Sequence, residues 1–189
     1  MPRKEILYFD ERGEANLEET LQMARERAEE LDIADIVIAS TRGNSALKVL
    51  EMCPGFNVVV VPHVTGSRNP GEQRIPADIM DEIHKKGGKT VIAAHAFSGI
   101  NRAIQAKWDT MYPAGIMAQT LRMLGQGMKV VVEIAAMAAD AGVIPIDKDV
   151  VVVAGSGRGA DTAVVMRAAN SHRIFDIVIK EIIAKPRNP

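Results

Sequence analysis

The sequence holds a single cysteine, Cys53, so no intramolecular disulfide can staple the fold. A chain built without disulfides suits a reducing compartment, and a cytoplasmic location is the expectation. Aromatic residues make up only 4% of the 189 residues, too few for the exposed rings on which single-stranded nucleic acid stacks. Neither sign of charge is in excess: the formal net charge is −1, which provides no general attraction for nucleic acid or for a membrane surface. Neither is expected as a partner. The longest apolar runs, VVVVP and VVVVAG, are far too short to span a bilayer. The N-terminal MPRKEILYFDERG has too short an apolar stretch for a secretory leader. Several motifs are also missing. GNSAL lacks the second glycine of a nucleophile elbow, no stretch carries the G-K-[ST] of a Walker phosphate loop, and His63, His84, His95 and His172 lack metal-ligand spacing.

What is present is alternation of short apolar strands and amphipathic helices. A short ILYF piece leads to a turn at Gly13. Asn16, with Glu19 three residues on, predicts a capping box at the start of a helix carrying Leu17, Leu21, Ala24, Ala28 and Leu31. Strands are predicted at Ile36–Ala39, Asn57–Val61, Lys89–Ala94 and Asp149–Ala154. Helices are predicted at Ala46–Met52, from Pro76 to the Gly87-Gly88 break, and from Pro113. MKVVVEIAAMAADAG mixes strand-favouring valines with alanines and reads as a buried helix. The tail TAVVMRA and HRIFDIVIKEIIAKP reads as extended pieces, added antiparallel to the sheet. The pattern predicts one domain, residues 1–189, of α/β class: a mostly parallel sheet covered on both faces.

In such sheets ligands sit beyond the carboxyl ends of the strands, so the loops that follow them bear comparison. The first is Ser40, Thr41, Arg42, Gly43, Asn44 and Ser45. The second contains His63, Thr65, Gly66 and Arg68. The third begins at His95 and runs through Phe97 to Gly99. The fourth is Gly155, Ser156, Gly157, Arg158 and Gly159, followed by Asp161 and Thr162. Parallel strands bring all four to one edge, where glycines, hydroxyls, arginines and a helix N-terminus form a cradle for an anion. Read alone, the first loop is equally a capped strand–helix turn. Gly155, Gly157 and Ala160 fit G-x-G-x-x-G/A, but they follow a late strand with little chain after it, so they read as an anion nest rather than a dinucleotide fingerprint. Cys53 reads as a packed residue at a helix end. The Met117, Met123 and Met128 segment reads as core or as a contact in a homo-oligomer.

IVIASTRGNSALKVLEMCPGFNVVVV resembles the start of the pyruvate kinase C-terminal domain, with its strand, T-x-[ST]-G-x-[ST]-A loop, helix and second strand. Ser40, Gly43, Ser45 and Ala46 fall on that pattern, and Arg42 stands where the family prefers a small hydroxyl residue. VVVVAGSGRGADTAVVM resembles the domain's later strand and glycine-containing loop. The whole chain is similar to a family of small stand-alone proteins of this fold, on YFDERGEANLEETLQMARERAEELDI, VIAAHAFSG and EIAAMAADAGVIP. The resemblance implies a three-layer αβα sandwich with a mixed sheet. It does not imply pyruvate kinase activity, which resides in a separate barrel. It implies an effector-type site in which Ser40, Gly43 and Ser45 contact phosphate.

Three readings of function follow. One is binding of a phosphorylated small molecule, a sugar phosphate or a flavin mononucleotide (FMN)-like ligand with its flat ring near Phe97 or the apolar loop segments. Another is an enzyme using the same pocket, with His63 or His95 as acid–base group. The last is a regulatory or assembly partner whose loops contact another chain.

Overall fold

The structure, a computed structural model, describes residues 4–188. Seven strands form one sheet in the order β1-β7-β6-β5-β2-β3-β4. They are β1 (Leu7–Phe9), β2 (Asp35–Ala39), β3 (Asn57–Val61), β4 (Lys89–Thr90), β5 (Asp149–Ala154), β6 (Thr162–Arg167) and β7 (Val178–Pro186). The helices are α1 (Leu17–Glu30), α2 (Asn44–Met52), α3 (Ala77–Lys85), α4 (Gly99–Trp108), α5 (Pro113–Arg122) and α6 (Gln126–Asp140).

The central strands are valine- and isoleucine-rich because both of their faces are covered. Alternation sends Ile36 and Ile38 of β2 into the layer of α1, α2 and α3, with Leu21, Val49 and Ile83. Val37, Val59 and Val152 face the other layer, where Val131, Ile134 and Ala138 of α6 pack. This is the three-layer sandwich with a mostly parallel sheet that the sequence implied. In α6, tertiary burial outweighs the weak helix propensity of three consecutive valines: residues 127–129 and 131–139 are all buried.

β2 pairs parallel with both β3 and β5, and β3 with β4, so these four strands end at the same edge. β6 is antiparallel to β5 and to β7, and β7 runs parallel to β1. Only part of the tail is therefore antiparallel. Within it, Ser171–Asp176 forms a 3-10 turn, not an extended piece.

Three local expectations are corrected. The strand predicted at Lys89–Ala94 keeps ladder pairing only at Lys89–Thr90, because its neighbour β3 stops at Val61 before Pro62, which has no N–H to pair. Asn16 does not cap α1: its side chain donates to the Glu11 carbonyl (2.8 Å), since a 3-10 turn at Glu14–Asn16 already feeds the helix. Finally, α4 lies where the sequence reading assigned no helix. Ile100, Ile104 and Trp108, at four-residue spacing, are the pattern that marks it.

Candidate functional site

β2 leaves the sheet centre with β5 on one side and β3 on the other, so the chain diverges between the carboxyl ends of β2 and β5. Divergence of this kind opens a crevice. An open cleft of about 1670 Å³ lies there, bounded by all four loops predicted from the sequence and walled on the far side by α4 and α5. Twelve of the sixteen candidate residues line it; Gly43, Thr65, Asp161 and Thr162 do not.

The first loop is built from the inside. The buried Ser40 hydroxyl accepts the Gly43 amide (3.2 Å) and the Ala46 amide (3.3 Å), so it holds the first turn of α2 from within. Gly43 adopts φ +98°, and a Cβ there would come within 2.2 Å of Ile79 Cγ2 on α3. Arg42 and Asn44 are then left exposed on the cleft rim. The fourth loop is held from behind by Asp161. Its fully buried carboxylate accepts the Gly13 amide (3.0 Å), the Ser156 amide (3.2 Å) and the Thr162 hydroxyl (2.9 Å). Asp161 and Thr162 therefore shape the cleft without facing it. The Ser156 hydroxyl oxygen is buried and has no partner among the described residues, an orphan in the cleft wall.

The floor is a hydrogen-bonded cluster. Glu133, 2% exposed, receives the Lys129 ammonium and the Phe97 amide (3.0 Å), and lies 3.4 Å from His95 Nδ1. The Val64 amide donates to His95 Nε2 (3.3 Å), which places the imidazole proton on Nδ1, facing Glu133. The His63 ring stacks on His95 with centroids 5.2 Å apart. Burial alone would raise the Glu133 carboxyl, but the His95 bond and the Lys129 charge outweigh it and hold the group well below the ordinary range. Burial, joined by the Arg122 and Arg102 charges, lowers Lys129 despite the Glu133 carboxylate, which raises it. Burial, then His95 and Arg74, lower His63.

Sequence reasoning missed this cluster's core, Lys129 and Glu133. The signal was a Lys and a Glu four apart in an otherwise apolar helix. It also missed Arg74, Arg102 and Arg122, which loops and helices distant in sequence bring to the same cleft. With Arg42, Arg158 and Lys129 they make six cations lining the cleft against two carboxylates, Glu14 and Glu133. Phe97 is only 3% exposed and Lys129 Nζ lies 5.6 Å from its ring centre, so Phe97 offers no open face to a flat ligand. The half-buried Tyr112 is the cleft's accessible aromatic. Cys53 is buried, as expected, and burial pushes its thiol up to about 11, against reactivity. Among the described residues no helix is long and apolar enough to cross a membrane, and no cluster of three acidic, His or Cys side chains could hold a metal.

A mixed α/β sandwich with a cation-lined cleft at the carboxyl edge of its sheet is the class that fold and site define. Residues 18–166 match the family described as pyruvate kinase, alpha/beta domain, and the chain belongs to that family. Among solved structures it is similar to Cryptosporidium parvum pyruvate kinase in complex with ADP, at 13% identity and a TM-score of 0.37. The match covers 89% of this chain and 23% of that one.

Proposed function

We propose that the cleft binds a phosphorylated small molecule, a sugar phosphate or an FMN-like ligand, with its phosphate between the Ser40–Ser45 loop and the Gly155–Gly159 loop. The observation that carries this reading is the local charge. Six cations line the cleft against two carboxylates, one of them paired with Lys129, on a chain whose net charge is −1. Concentrating positive charge in a concave, partly desolvated site selects for an anion. Two further features support it. The α2 amino terminus borders the cleft at Asn44 and Ser45, whose amides, unlike those of Gly43 and Ala46, are not taken up by Ser40 and suit phosphate oxygens. The buried Ser156 hydroxyl leaves one unpartnered polar group in the loop that would flank the phosphate. A flat ring on the same ligand would lie toward Tyr112 and Met111, which border the cleft.

The test is a thermal-shift screen of the purified protein against FMN, sugar mono- and bisphosphates and their dephosphorylated counterparts, with absorbance of gently purified protein read for a bound chromophore. A ligand at 100 times its dissociation constant adds about 2.7 kcal/mol of stability. Stabilisation that requires the phosphate group is expected. A flat response across the whole panel would remove the reading.

A further inference from the structure

Phosphate binding does not explain the cleft floor. Buried charge is costly, and a carboxylate beneath an anion site opposes the ligand. Yet Lys129, Glu133 and His95 are locked together there, with His63 stacked above. The bonding separates their capacities. Both nitrogens of His95 are committed, one to Glu133 and one accepting from Val64. The ring nitrogens of His63 have no protein partner among the described residues, and the side chain borders the cleft half-buried. Lys129 donates one N–H to Glu133; its other two find no acceptor among the described residues, and it also borders the cleft. The groups acting on His63 are all accounted for: His95, Arg74 and Lys129 disfavour its protonation, as does burial, and Glu133 alone favours it. The floor therefore presents to one cleft an imidazole with free ring nitrogens, whose protonation is disfavoured, and an ammonium paired with a buried carboxylate.

A neutral base and a cation that line one cleft are the equipment for removing a proton from carbon adjacent to a carbonyl. We infer that the cleft catalyses such a proton transfer on a phosphorylated aldehyde or ketone. The inference rests on the phosphorylated-ligand reading above. His63 and Lys129 are the catalytic residues, and Glu133 and His95 are positioning residues. The C–H bond breaks and its proton passes to a His63 ring nitrogen. The C–H electron pair forms a carbon–carbon double bond as the carbonyl π pair moves onto oxygen, where the Lys129 ammonium holds it. Return of a proton to the same carbon reverses the step, so its minimal signature is exchange of that hydrogen with solvent.

The experiment incubates the protein in D₂O with dihydroxyacetone phosphate, glyceraldehyde 3-phosphate and ribose 5-phosphate. Proton NMR follows the hydrogen adjacent to each carbonyl, and saturation-transfer NMR on the same samples reports binding. Exchange above buffer is expected for at least one probe, falling ~10²-fold or more in His63→Gln, a change that leaves every hydrogen bond of the floor in place. Lys129→Met should lose the exchange as well. In Glu133→Gln, the ammonium loses its counter-charge, so the alkaline limb of the pH–rate profile should move to lower pH, a shift that a purely structural role would not cause. Probes that bind without exchange above buffer, or a His63→Gln variant exchanging at the wild-type rate, would overturn the inference and leave the binding reading standing. Absence of binding by every probe would overturn the inference as well, and the binding reading would then be decided by the wider thermal-shift panel that includes FMN.

Discussion

The Gly13 amide donates a hydrogen bond to the Asp161 carboxylate across 3.0 Å, joining positions 148 apart in the chain. The same carboxylate holds Ser156 and Thr162, so a buried side chain that touches no ligand sets the course of the glycine-rich loop in the cleft. Gly159 lies in this loop at φ +74°, where a Cβ would come within 2.5 Å of Glu14 Cα. The N-terminal turn and the fourth loop are therefore packed backbone to backbone.

Removing that carboxylate strands three donors in a buried place. Asp161→Ala should cost about 3 kcal/mol. For a chain of this length that lowers the thermal midpoint by roughly 6–12 °C. Asp161→Asn, which keeps one acceptor oxygen, should cost less. Differential scanning calorimetry of the two variants checks the order.

The Lys129–Glu133 pair should behave as a coupled unit. Breaking it from one side, by Lys129→Met or Glu133→Leu, leaves a buried charge and should cost about 3–5 kcal/mol. The double variant should lose less than the sum of the singles, a departure from additivity that a urea double-mutant cycle measures. The sign of the pH effect follows from Glu133. Its folded-state pKa, about 2, lies below the ordinary 4.5, so the ionised group stabilises the native state. That contribution is complete above pH 4.5 and should be lost as the pH falls from there toward 2. Glu133→Gln should flatten that acid limb.

Gly43→Ala should damage both stability and binding. The position needs positive φ, and the added methyl meets Ile79. A loss on the order of 2 kcal/mol is expected. Loosening of α2's first turn should weaken the best phosphorylated ligand found by thermal-shift screening. Urea unfolding and a ligand titration on the same variant check the two effects together.

How far the sequence reached is clearest from these residues. The strands β2, β3 and β5 and the convergence of their loops were legible, because a buried parallel strand writes itself as a short apolar run and the turn after it as glycines and hydroxyls. Gly43 and Ser40 were flagged for phosphate, yet their observed bonds are internal to the loop. A hydroxyl that caps a helix and one that faces a ligand look identical in sequence. Lys129 and Glu133 escaped notice because α6 was read as a buried helix, and which partner a buried charge meets is decided by tertiary packing. Arg74, Arg102 and Arg122 escaped for the same reason: no local spacing links them to Arg42.

Helix α4 should be the least protected helix of the described residues. None of its ten residues is buried, although Ile100 and Arg102 border the cleft. A ten-residue helix without a buried face is marginal in water. Amide hydrogen exchange should show 99–108 exchanging far faster than 126–140, where the helix is almost wholly buried. A ligand filling the cleft should slow exchange in α4 more than in α6.

The central claim is that the cleft's cations hold an anionic ligand, and isothermal titration of the best phosphorylated ligand tests it most directly. Arg42 and Arg158 face the cleft from the two loops that flank the proposed phosphate, and neither donates to a described residue. Arg42→Ala and Arg158→Ala should each weaken binding about tenfold or more, consistent with the loss of a charge-assisted contact of 1.5–3 kcal/mol. The thermal midpoint of the free protein should stay within about 2 °C of wild type. Binding that survives both substitutions at wild-type affinity would contradict the account.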